Sequence, residues 1–203
     1  MLITFEGPEG SGKSSQISRL AAFIEAHGVS IVTTREPGGT AIGDQIRDCL
    51  HDVNNTEMIA ATEFLLYSAS RAQLVKELIR PALIEGKIVL CDRYADSTIA
   101  YQGYGRKLDL ADLKQITHFA TDGLKPDLTF LLDIDVERGL ARRMEGNAEM
   151  NRLDLEAVAF HRRVRDGYHK LAQAEPQRWY VIDADRSVDS VQADLQSVLL
   201  SRI

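Results

Sequence analysis

The segment GPEGSGKS, residues 7–14, has the residue types and the spacing of a phosphate-binding loop. It satisfies the pattern G-x-x-x-x-G-K-[ST] at every defined position. In such a loop the backbone N–H groups surround phosphates, the lysine reaches the terminal phosphate and the hydroxyl helps to hold Mg²⁺. We expect Lys13 to be exposed at the start of a helix and to bury little. The predicted nucleotide-binding residues are Gly7, Pro8, Glu9, Gly10, Ser11, Gly12, Lys13 and Ser14.

A second group of candidate residues follows the apolar run Ile88-Val89-Leu90-Cys91. Asp92 comes at the end of this predicted buried strand, where a carboxylate can hold Mg²⁺ together with the Ser14 hydroxyl. Arg93 is the next residue, and its guanidinium can grip a second phosphate with two parallel N–H groups. The alternative is an Asp–Arg pair that only closes the end of a strand.

Elements that could position these residues alternate along the chain as short apolar runs and helical patterns. Strands are predicted at about 2–6, 30–34, 87–92, 127–133 and 178–183, and helices fill most of the gaps between them. This order predicts an α/β fold, a five-stranded parallel sheet flanked by helices, in a single domain spanning residues 1–203. Arg80-Pro81 falls inside a long helical pattern and is expected to bend it or to start a new helix.

Composition limits the classes of partner. The chain of 203 residues has a net charge of −6, which argues against a nucleic-acid-binding or anionic-membrane-binding surface, since either needs clustered Lys and Arg. Its two cysteines, Cys49 and Cys91, lack metal-ligand spacing, and Met1-Leu2 leads directly into a strand without a signal peptide. We therefore expect a cytoplasmic protein.

Three classes of nucleotide-using protein remain to be compared. A regulatory GTPase needs Asn-Lys-x-Asp and Asp-x-x-Gly, and neither pattern occurs in the sequence. A remodelling ATPase needs an acidic pair after the third strand, but Asp92 is followed by Arg93. The remaining class is a nucleoside or nucleotide kinase, and these residues alone leave its acceptor open.

Six stretches of the sequence together resemble the bacterial thymidylate kinase family. They are FEGPEGSGKSS (5–15), TREPGGT (34–40), LLYSASRAQL (65–74), VLCDRYADSTIAYQGYGR (89–106), LKPDLTFLLD (124–133) and NRLDLE (151–156). The resemblance implies a P-loop NTPase fold of the nucleotide kinase type and transfer of the γ-phosphate of Mg-ATP to dTMP, giving dTDP for dTTP synthesis. It also implies a homodimer, for which the apolar helix at 56–79 is a candidate interface.

The resemblance implies that two pairs of residues, each four apart, read the base. Tyr67 is expected to stack on thymine and Arg71 to bond its exocyclic oxygen, although many family members carry Phe where this chain has Tyr67. Thr98 and Gln102 form the second pair, and an amide can both donate to and accept from a base edge.

The resemblance also implies which residues contact the sugar and the phosphate of the acceptor. Glu9 matches the acidic position that meets the sugar 3′-hydroxyl, and Tyr101 is expected to pack where a 2′-hydroxyl would lie. For Tyr101 the alternative is a core ring that supports the loop after the third strand. Further matches near the acceptor, its phosphate and its metal are Arg35, Glu36 and Arg47.

Cations for the transfer step are expected from residues 142–152, RRMEGNAEMNR, a polar stretch that lacks apolar periodicity and that we interpret as a mobile lid. The phosphate-binding loop has no arginine at residues 8–11. The resemblance implies that family members without such an arginine supply cations from a lid instead. The predicted catalytic residues are Lys13, Arg93, Glu9, Arg142, Arg143 and Arg152.

Overall fold

Five parallel strands form one sheet in the order β2-β3-β1-β4-β5 in the computed structural model, which describes residues 1–145 and 150–202. Every strand boundary lies within one residue of its predicted position. The strands are Leu2–Glu6 (β1), Ile31–Arg35 (β2), Ile88–Asp92 (β3), Leu128–Asp133 (β4) and Trp179–Asp183 (β5).

Helices cover both faces of the sheet and bury the three central strands, β1, β3 and β4, along nearly their whole length, whereas the outer strands β2 and β5 are partly exposed. Ile3 and Phe5 of β1 pack in a cluster with the first and last helices, whereas Leu2 packs on the opposite face. The helices are Lys13–Ala26 (α1), Ala41–His51 (α2), Ala60–Leu74 (α3), Arg80–Ile84 (α4), Ala95–Thr98 (α5), Leu110–Thr121 (α6), Val136–Glu145 (α7), Val158–Ala174 (α8) and Val188–Leu200 (α9).

The carboxyl ends of β1, β3 and β4 meet at one edge of the sheet. β1 lies between β3 and β4, with Thr4 opposite Cys91 on one side and Thr129 on the other. Ligands of open parallel sheets bind outside this edge. The segments after β1 and β3, which contain the predicted loop and Asp92, therefore come together.

The helical pattern around Arg80-Pro81 contains the expected irregularity. α3 runs directly into a π-helical segment, Val75–Ile79, and Pro81 then lies in the first turn of α4. Proline lacks an N–H and its ring clashes with the preceding turn, so a wider turn before it accommodates the chain. α3 itself remains regular and directs one face toward the sheet edge.

The predicted lid begins inside a helix. α7 extends to Glu145, so residues 142–145 are helical, although the polar sequence gave no apolar pattern there. Only Val136 and Gly139 are buried, and Arg142 and Arg143 lie in the last turn, where cations interact favourably with the helix dipole. Residues 146–149 of the predicted lid lie outside the described residues.

Candidate active site

A cavity of about 470 Å³ opens at the carboxyl edge of the sheet. Its volume lies in the range of small-molecule sites. It joins the predicted phosphate loop to most of the residues that the sequence assigned to an acceptor. The predicted site residues that line it are Glu9–Ser14, Arg35, Glu36, Arg47, Tyr67, Arg71, Asp92, Arg93, Thr98, Tyr101, Gln102 and Arg143.

The phosphate loop presents backbone N–H groups that no described residue pairs. Gly12 caps α1 with φ +85°, and no side chain among residues 1–145 and 150–202 caps the first turn, so its N–H groups are available to an anion. At Gly10 (φ +69°), a Cβ would lie 1.9 Å from the carbonyl oxygen of Gly139 in α7. Glycine is therefore required at Gly10 by a close backbone approach as well as by the positive φ.

Lys13 is buried, so the expectation that it is exposed was wrong. Its Nζ donates to the carbonyls of Gly7 (3.1 Å) and Pro8 (2.9 Å) and to Ser11 Oγ (3.2 Å). Burial, reinforced by the nearby Arg93, lowers the pKa of Lys13 to about 8. The loop curls around its own lysine because the chain reverses direction between β1 and α1, a feature that sequence spacing does not reveal.

Ser14 and Asp92 lie side by side, as a shared metal site requires. The Ser14 hydroxyl donates to Asp92 Oδ2 over 2.8 Å, although the two residues are 78 positions apart. Mg²⁺ commonly takes one or two protein oxygens and completes its shell with water and substrate phosphates. A hydroxyl and a carboxylate beside a phosphate loop fit that donor set.

Arg93 connects the loop to the acceptor side of the cavity. Its backbone has φ +66°, and its guanidinium donates to the Gly7 carbonyl and Tyr168 Oη (both 3.0 Å) and to Glu9 Oε1 (2.8 Å). Tyr101 Oη also donates to Glu9 Oε1 (2.7 Å), and its ring lies 4.9 Å from the Arg93 guanidinium carbon. Burial alone would raise the pKa of Glu9, but Arg93, Lys13 and Tyr101 lower it to about 2.

Glu6 supports this cluster from beneath. Its buried carboxylate accepts from the Tyr94 backbone N–H, Ser97 Oγ and Tyr168 Oη. Burial and the charge of Asp96 raise the pKa of Glu6 to about 7. Tyr168 therefore connects Glu6 to Arg93 through one hydroxyl.

Arg71 is fully buried and is held by several partners. It donates to Glu36 from Nε (2.8 Å) and Nη2 (2.6 Å), to Thr98 Oγ1 from Nη1 (2.9 Å) and to the Tyr94 carbonyl from Nη2 (3.0 Å). A guanidinium has five N–H groups. One Nη1–H therefore has no partner within residues 1–145 and 150–202, and it belongs to a residue that lines the cavity.

Tyr67 and Gln102 also line the cavity and have unused polar atoms. The Tyr67 hydroxyl makes no hydrogen bond to any part of the chain that the structure describes, and burial, reinforced by Glu63, raises the pKa of Tyr67. Gln102 Nε2 donates to Glu63 Oε1 over 2.9 Å. An aromatic face and an amide thus stand beside the free Arg71 donor, an arrangement suited to a flat base.

Sequence comparison decides the family. The model of the family described as "Thymidylate kinase" matches residues 5–195. The chain belongs to the thymidylate kinase family. It is therefore a kinase of nucleotide biosynthesis, as the resemblance implied.

Individual relatives and a solved structure agree with the family match. The thymidylate kinase of Geotalea uraniireducens is 51% identical over 206 residues, covering 99% of this chain and 97% of that protein. That of Deinococcus radiodurans is 50% identical over 202 residues, covering 100% and 97%. The crystal structure of thymidylate kinase from Ehrlichia chaffeensis has a TM-score of 0.80 at 36% identity and covers 98% of both chains.

The three predicted lid arginines of this thymidylate kinase lie in three different places. Arg143 lines the cavity and pairs with Asp154. Arg152 does not line the cavity and donates to Glu63 and to the Leu50 carbonyl. Arg142 binds Asp185 and the Ala184 carbonyl beyond β5 and does not line the cavity, so the described structure does not bring it to the other site residues.

On the acceptor side, Arg47 and Arg35 are bound to local partners. Arg47 donates to the Pro37 carbonyl over 2.9 Å, and Arg35 donates to Asp44 over 3.2 Å. His51 lines the cavity as well, and burial, reinforced by the charge of Arg47, lowers the pKa of His51 to about 4. The wall on this side is therefore cationic without His51 carrying charge at neutral pH.

Sequence reasoning missed Glu6, Glu63, Tyr168 and His51. Glu63 had a detectable signal, since it lies four residues before Tyr67 and eight before Arg71, on the same face of α3. Tyr168 had none, because only folding brings α8 to the residues that follow β1 and β3.

No helix within the described ranges is both long and apolar enough to cross a membrane.

Proposed function

We propose that in this cavity the protein transfers the γ-phosphate of ATP to the 5′-phosphate of dTMP, giving dTDP for dTTP synthesis. One observation carries the proposal: a single cavity contains both the phosphate loop and a set of groups suited to a pyrimidine nucleotide. Family membership identifies that nucleotide as thymidylate.

The donor phosphates are assigned to the loop and to Lys13. Its ammonium group now bonds loop carbonyls, and exchanging one of these for a phosphate oxygen needs little movement. Ser14 and Asp92 are the residues that would hold Mg²⁺. When bound, the ion supplies positive charge to the donor phosphates.

The base is assigned to Tyr67, Arg71 and Gln102. The free Nη1–H of Arg71 can donate to an exocyclic oxygen of thymine, and Gln102 can bond the base edge beside it. Tyr67 supplies the flat face for stacking. Arg71 is suited to this role because Glu36 and Thr98 fix its guanidinium before the base arrives.

The sugar and the acceptor phosphate are assigned to residues around Arg93. Glu9 is ionised and is the acceptor for the 3′-hydroxyl, while Tyr101 packs against the sugar. Arg93 and Arg47 supply cations for the 5′-phosphate, with Glu36 fixing the loop next to Arg47. Arg93 also touches the phosphate loop through Gly7, so it can align the acceptor with the donor.

Phosphoryl transfer depends mainly on positioning and on neutralisation of charge. Lys13 and Arg93 supply cations from the sheet edge, and Arg143 is the lid arginine that already lines the cavity. We retain residues 142–152 as a lid within a single kinase domain of residues 1–203. In this arrangement lid closure excludes water, and Arg152 and Arg142 would have to leave their present partners to take part.

The proposal also includes a homodimer and a location in the cytoplasm. Ile59 and Leu65, at or near the start of α3, and Phe119 on α6 are large apolar residues that are exposed, and exposed apolar surface of this kind supports a homodimer. Cys49 and Cys91 are both free thiols, which suits the reducing cytoplasm.

An acceptor panel tests the proposed reaction. The purified protein is incubated with Mg-ATP and each of dTMP, dUMP, dCMP, dAMP, dGMP and UMP, and the products are separated by anion exchange. We expect dTDP to form with the highest kcat/KM. A different preferred acceptor would refute the assignment of the base pocket.

Two arginine variants then test the assignment of residues. Arg93→Gln is expected to raise the KM for dTMP and to lower kcat, because Arg93 both binds and aligns the acceptor. Arg178→Gln is the matched control, since Arg178 is similarly buried in an ion pair with Asp96 but lies outside the cavity lining. It should reduce stability and leave the KM for dTMP unchanged, so equal effects of the two variants on that KM would contradict the role of Arg93.

A further inference from the structure

Glu63 joins three parts of the site through one carboxylate. The residue is fully buried in α3 and accepts hydrogen bonds from Gln102 Nε2 (2.9 Å), Arg106 Nη2 (2.9 Å) and Arg152 Nη2. Burial would raise the pKa of Glu63, but the hydrogen bonds from Arg106 and Gln102 keep it below the ordinary value. The carboxylate is therefore ionised and can only accept hydrogen bonds.

An acceptor-only partner fixes the orientation of the Gln102 amide. If the amide turned over, its carbonyl oxygen would face the Glu63 carboxylate, and two acceptors would meet in a buried setting. The nitrogen must therefore face Glu63. The amide oxygen has no hydrogen-bond partner among residues 1–145 and 150–202, so it is available to a ligand.

We propose that Glu63 is a specificity-determining positioning residue that, by holding the Gln102 amide in one orientation, makes the cavity accept thymine-type bases and reject cytosine-type bases. The inference rests on the proposed function, in which Gln102 reads the acceptor base.

The chemistry of the two base types explains the selection. Thymine presents a ring N–H donor at N3 next to a carbonyl acceptor at position 4, whereas cytosine presents a bare N3 acceptor next to an amino donor. An amide can match either edge by turning over. With Glu63 in place only one orientation is available, and its acceptor oxygen matches the thymine N–H.

The position of Glu63 in the helix supports this role. Glu63, Tyr67 and Arg71 repeat every four residues along α3 and share one face. The helix thus carries the stacking ring, the arginine donor and the residue that orients the amide, each fixed relative to the others. Arg106 and Arg152 also donate to this buried carboxylate and neutralise its charge.

The test uses two acceptors that differ only at the edge in question, dTMP and 5-methyl-2′-deoxycytidine monophosphate. The ratio of their kcat/KM values is measured with Mg-ATP for the wild type and for Glu63→Gln. The variant side chain can offer an N–H to Gln102, so the amide can turn over. We expect the ratio to fall about tenfold, chiefly because the cytosine compound improves, and the KM for ATP to stay unchanged. Arg71 still favours a carbonyl, so some preference for dTMP should remain.

Arg106→Met is the matched control. It removes one charged partner of the carboxylate, while Arg152 still pairs with Glu63 and keeps it ionised, so that the Gln102–Glu63 hydrogen bond stays in place. We expect it to lower the melting temperature and to leave the substrate ratio unchanged. If Glu63→Gln does not fold, Glu63→Asp takes its place, because it keeps the charge that the arginines need and withdraws the carboxylate from Gln102. The ratio should fall in that variant as well.

Gln102→Met distinguishes the possible failures. A fall in the ratio in Gln102→Met with no change in Glu63→Gln or Glu63→Asp would overturn the role of Glu63 and leave the base assignment intact. An unchanged ratio in Gln102→Met would overturn both the base assignment and this inference. An equal fall in the ratio in Arg106→Met would show that damage to the cluster, rather than amide orientation, controls the selection.

Discussion

Replacing Arg71 by methionine should destabilise the protein far more than the loss of one substrate contact implies. The side chains of Arg71 and Glu36 are 1% and 3% exposed, and Arg71 also bonds Thr98 and the Tyr94 carbonyl. Arg71→Met leaves the Glu36 carboxylate buried without its cation. Removing one partner of such a pair costs about 3–5 kcal/mol, because the remaining charge stays desolvated.

The size and the pH dependence of the loss can both be worked out. A chain of this length loses about 2–4 °C in melting temperature per kcal/mol, so we expect a fall of about 6–20 °C near neutral pH. Burial raises the pKa of Glu36 even with Arg71 present. Without Arg71 the folded-state pKa rises further above the unfolded value, so stability is retained at low pH and lost as pH rises. The deficit relative to the wild type should therefore be smaller at pH 5 than at pH 8.

Urea unfolding of four proteins at both pH values measures this effect. The double variant Arg71→Met/Glu36→Gln removes the uncompensated charge and should recover much of the stability without recovering dTMP binding. Arg35→Met is the matched control, because the Arg35–Asp44 pair is 53% and 48% exposed and such pairs contribute at most about 1 kcal/mol. A loss below about 1 kcal/mol in Arg71→Met, or a double variant no more stable than the single one, would refute the reasoning.

Three further predictions concern the other ionised and aromatic groups. Lys13→Ala should lower kcat at least about a hundredfold because it removes the cation that we propose for the donor phosphates, and a folded variant with near wild-type turnover would contradict the loop assignment. A hydrophobic wall rejects an added hydroxyl by only about a hundredfold, so the wild type should use 5-methyluridine monophosphate inefficiently. Tyr101→Ala should narrow the kcat/KM gap between that compound and dTMP, whereas an unchanged ratio would favour a purely structural ring. The pKa of Glu6 rises from 4.5 to about 7 on folding, so its contribution to stability, roughly 3 kcal/mol, is present below pH 4.5 and is lost as pH rises to 7. Glu6→Gln should flatten that slope in urea titrations, and an unaltered slope would show that another group causes it.

The strands and the phosphate loop were predictable because their signals are local. A buried parallel strand is a short apolar run, and the loop between β1 and α1 has a fixed residue pattern, so both can be read without knowing the fold. Asp92 was predictable for a related reason: parallel strands deliver their carboxyl ends to one edge. The contact between Ser14 and Asp92 confirms that they come together, while the metal they would hold stays a prediction.

The hydrogen-bond partners of the site residues could not be predicted, because they depend on which faces of the helices pack around the cavity. The spacing of Glu63 from Tyr67 and Arg71 puts it on their face of α3, but its burial and its bond to Gln102 follow only once α3 and the π-helical segment Ile99–Gly105 are placed against each other. The burial of Lys13 depends likewise on the curvature of the loop. α7 was missed at its end because Arg142 and Arg143 interact with acidic partners and the helix dipole rather than with an apolar core.

The backbone contact between Gly10 and Gly139 links the donor loop to α7. A Cβ at Gly139 would lie 2.3 Å from the Glu9 carbonyl oxygen, so the two backbones are in direct contact and a change of side-chain rotamer cannot absorb a displacement of either segment. Arg143, one turn beyond Gly139, lines the acceptor cavity. If α7 shifts when dTMP binds, we expect Glu9 and Gly10 to move with it. The two substrates should consequently bind cooperatively or anticooperatively, and thermodynamic reciprocity requires ATP to change dTMP affinity by the same factor as dTMP changes ATP affinity.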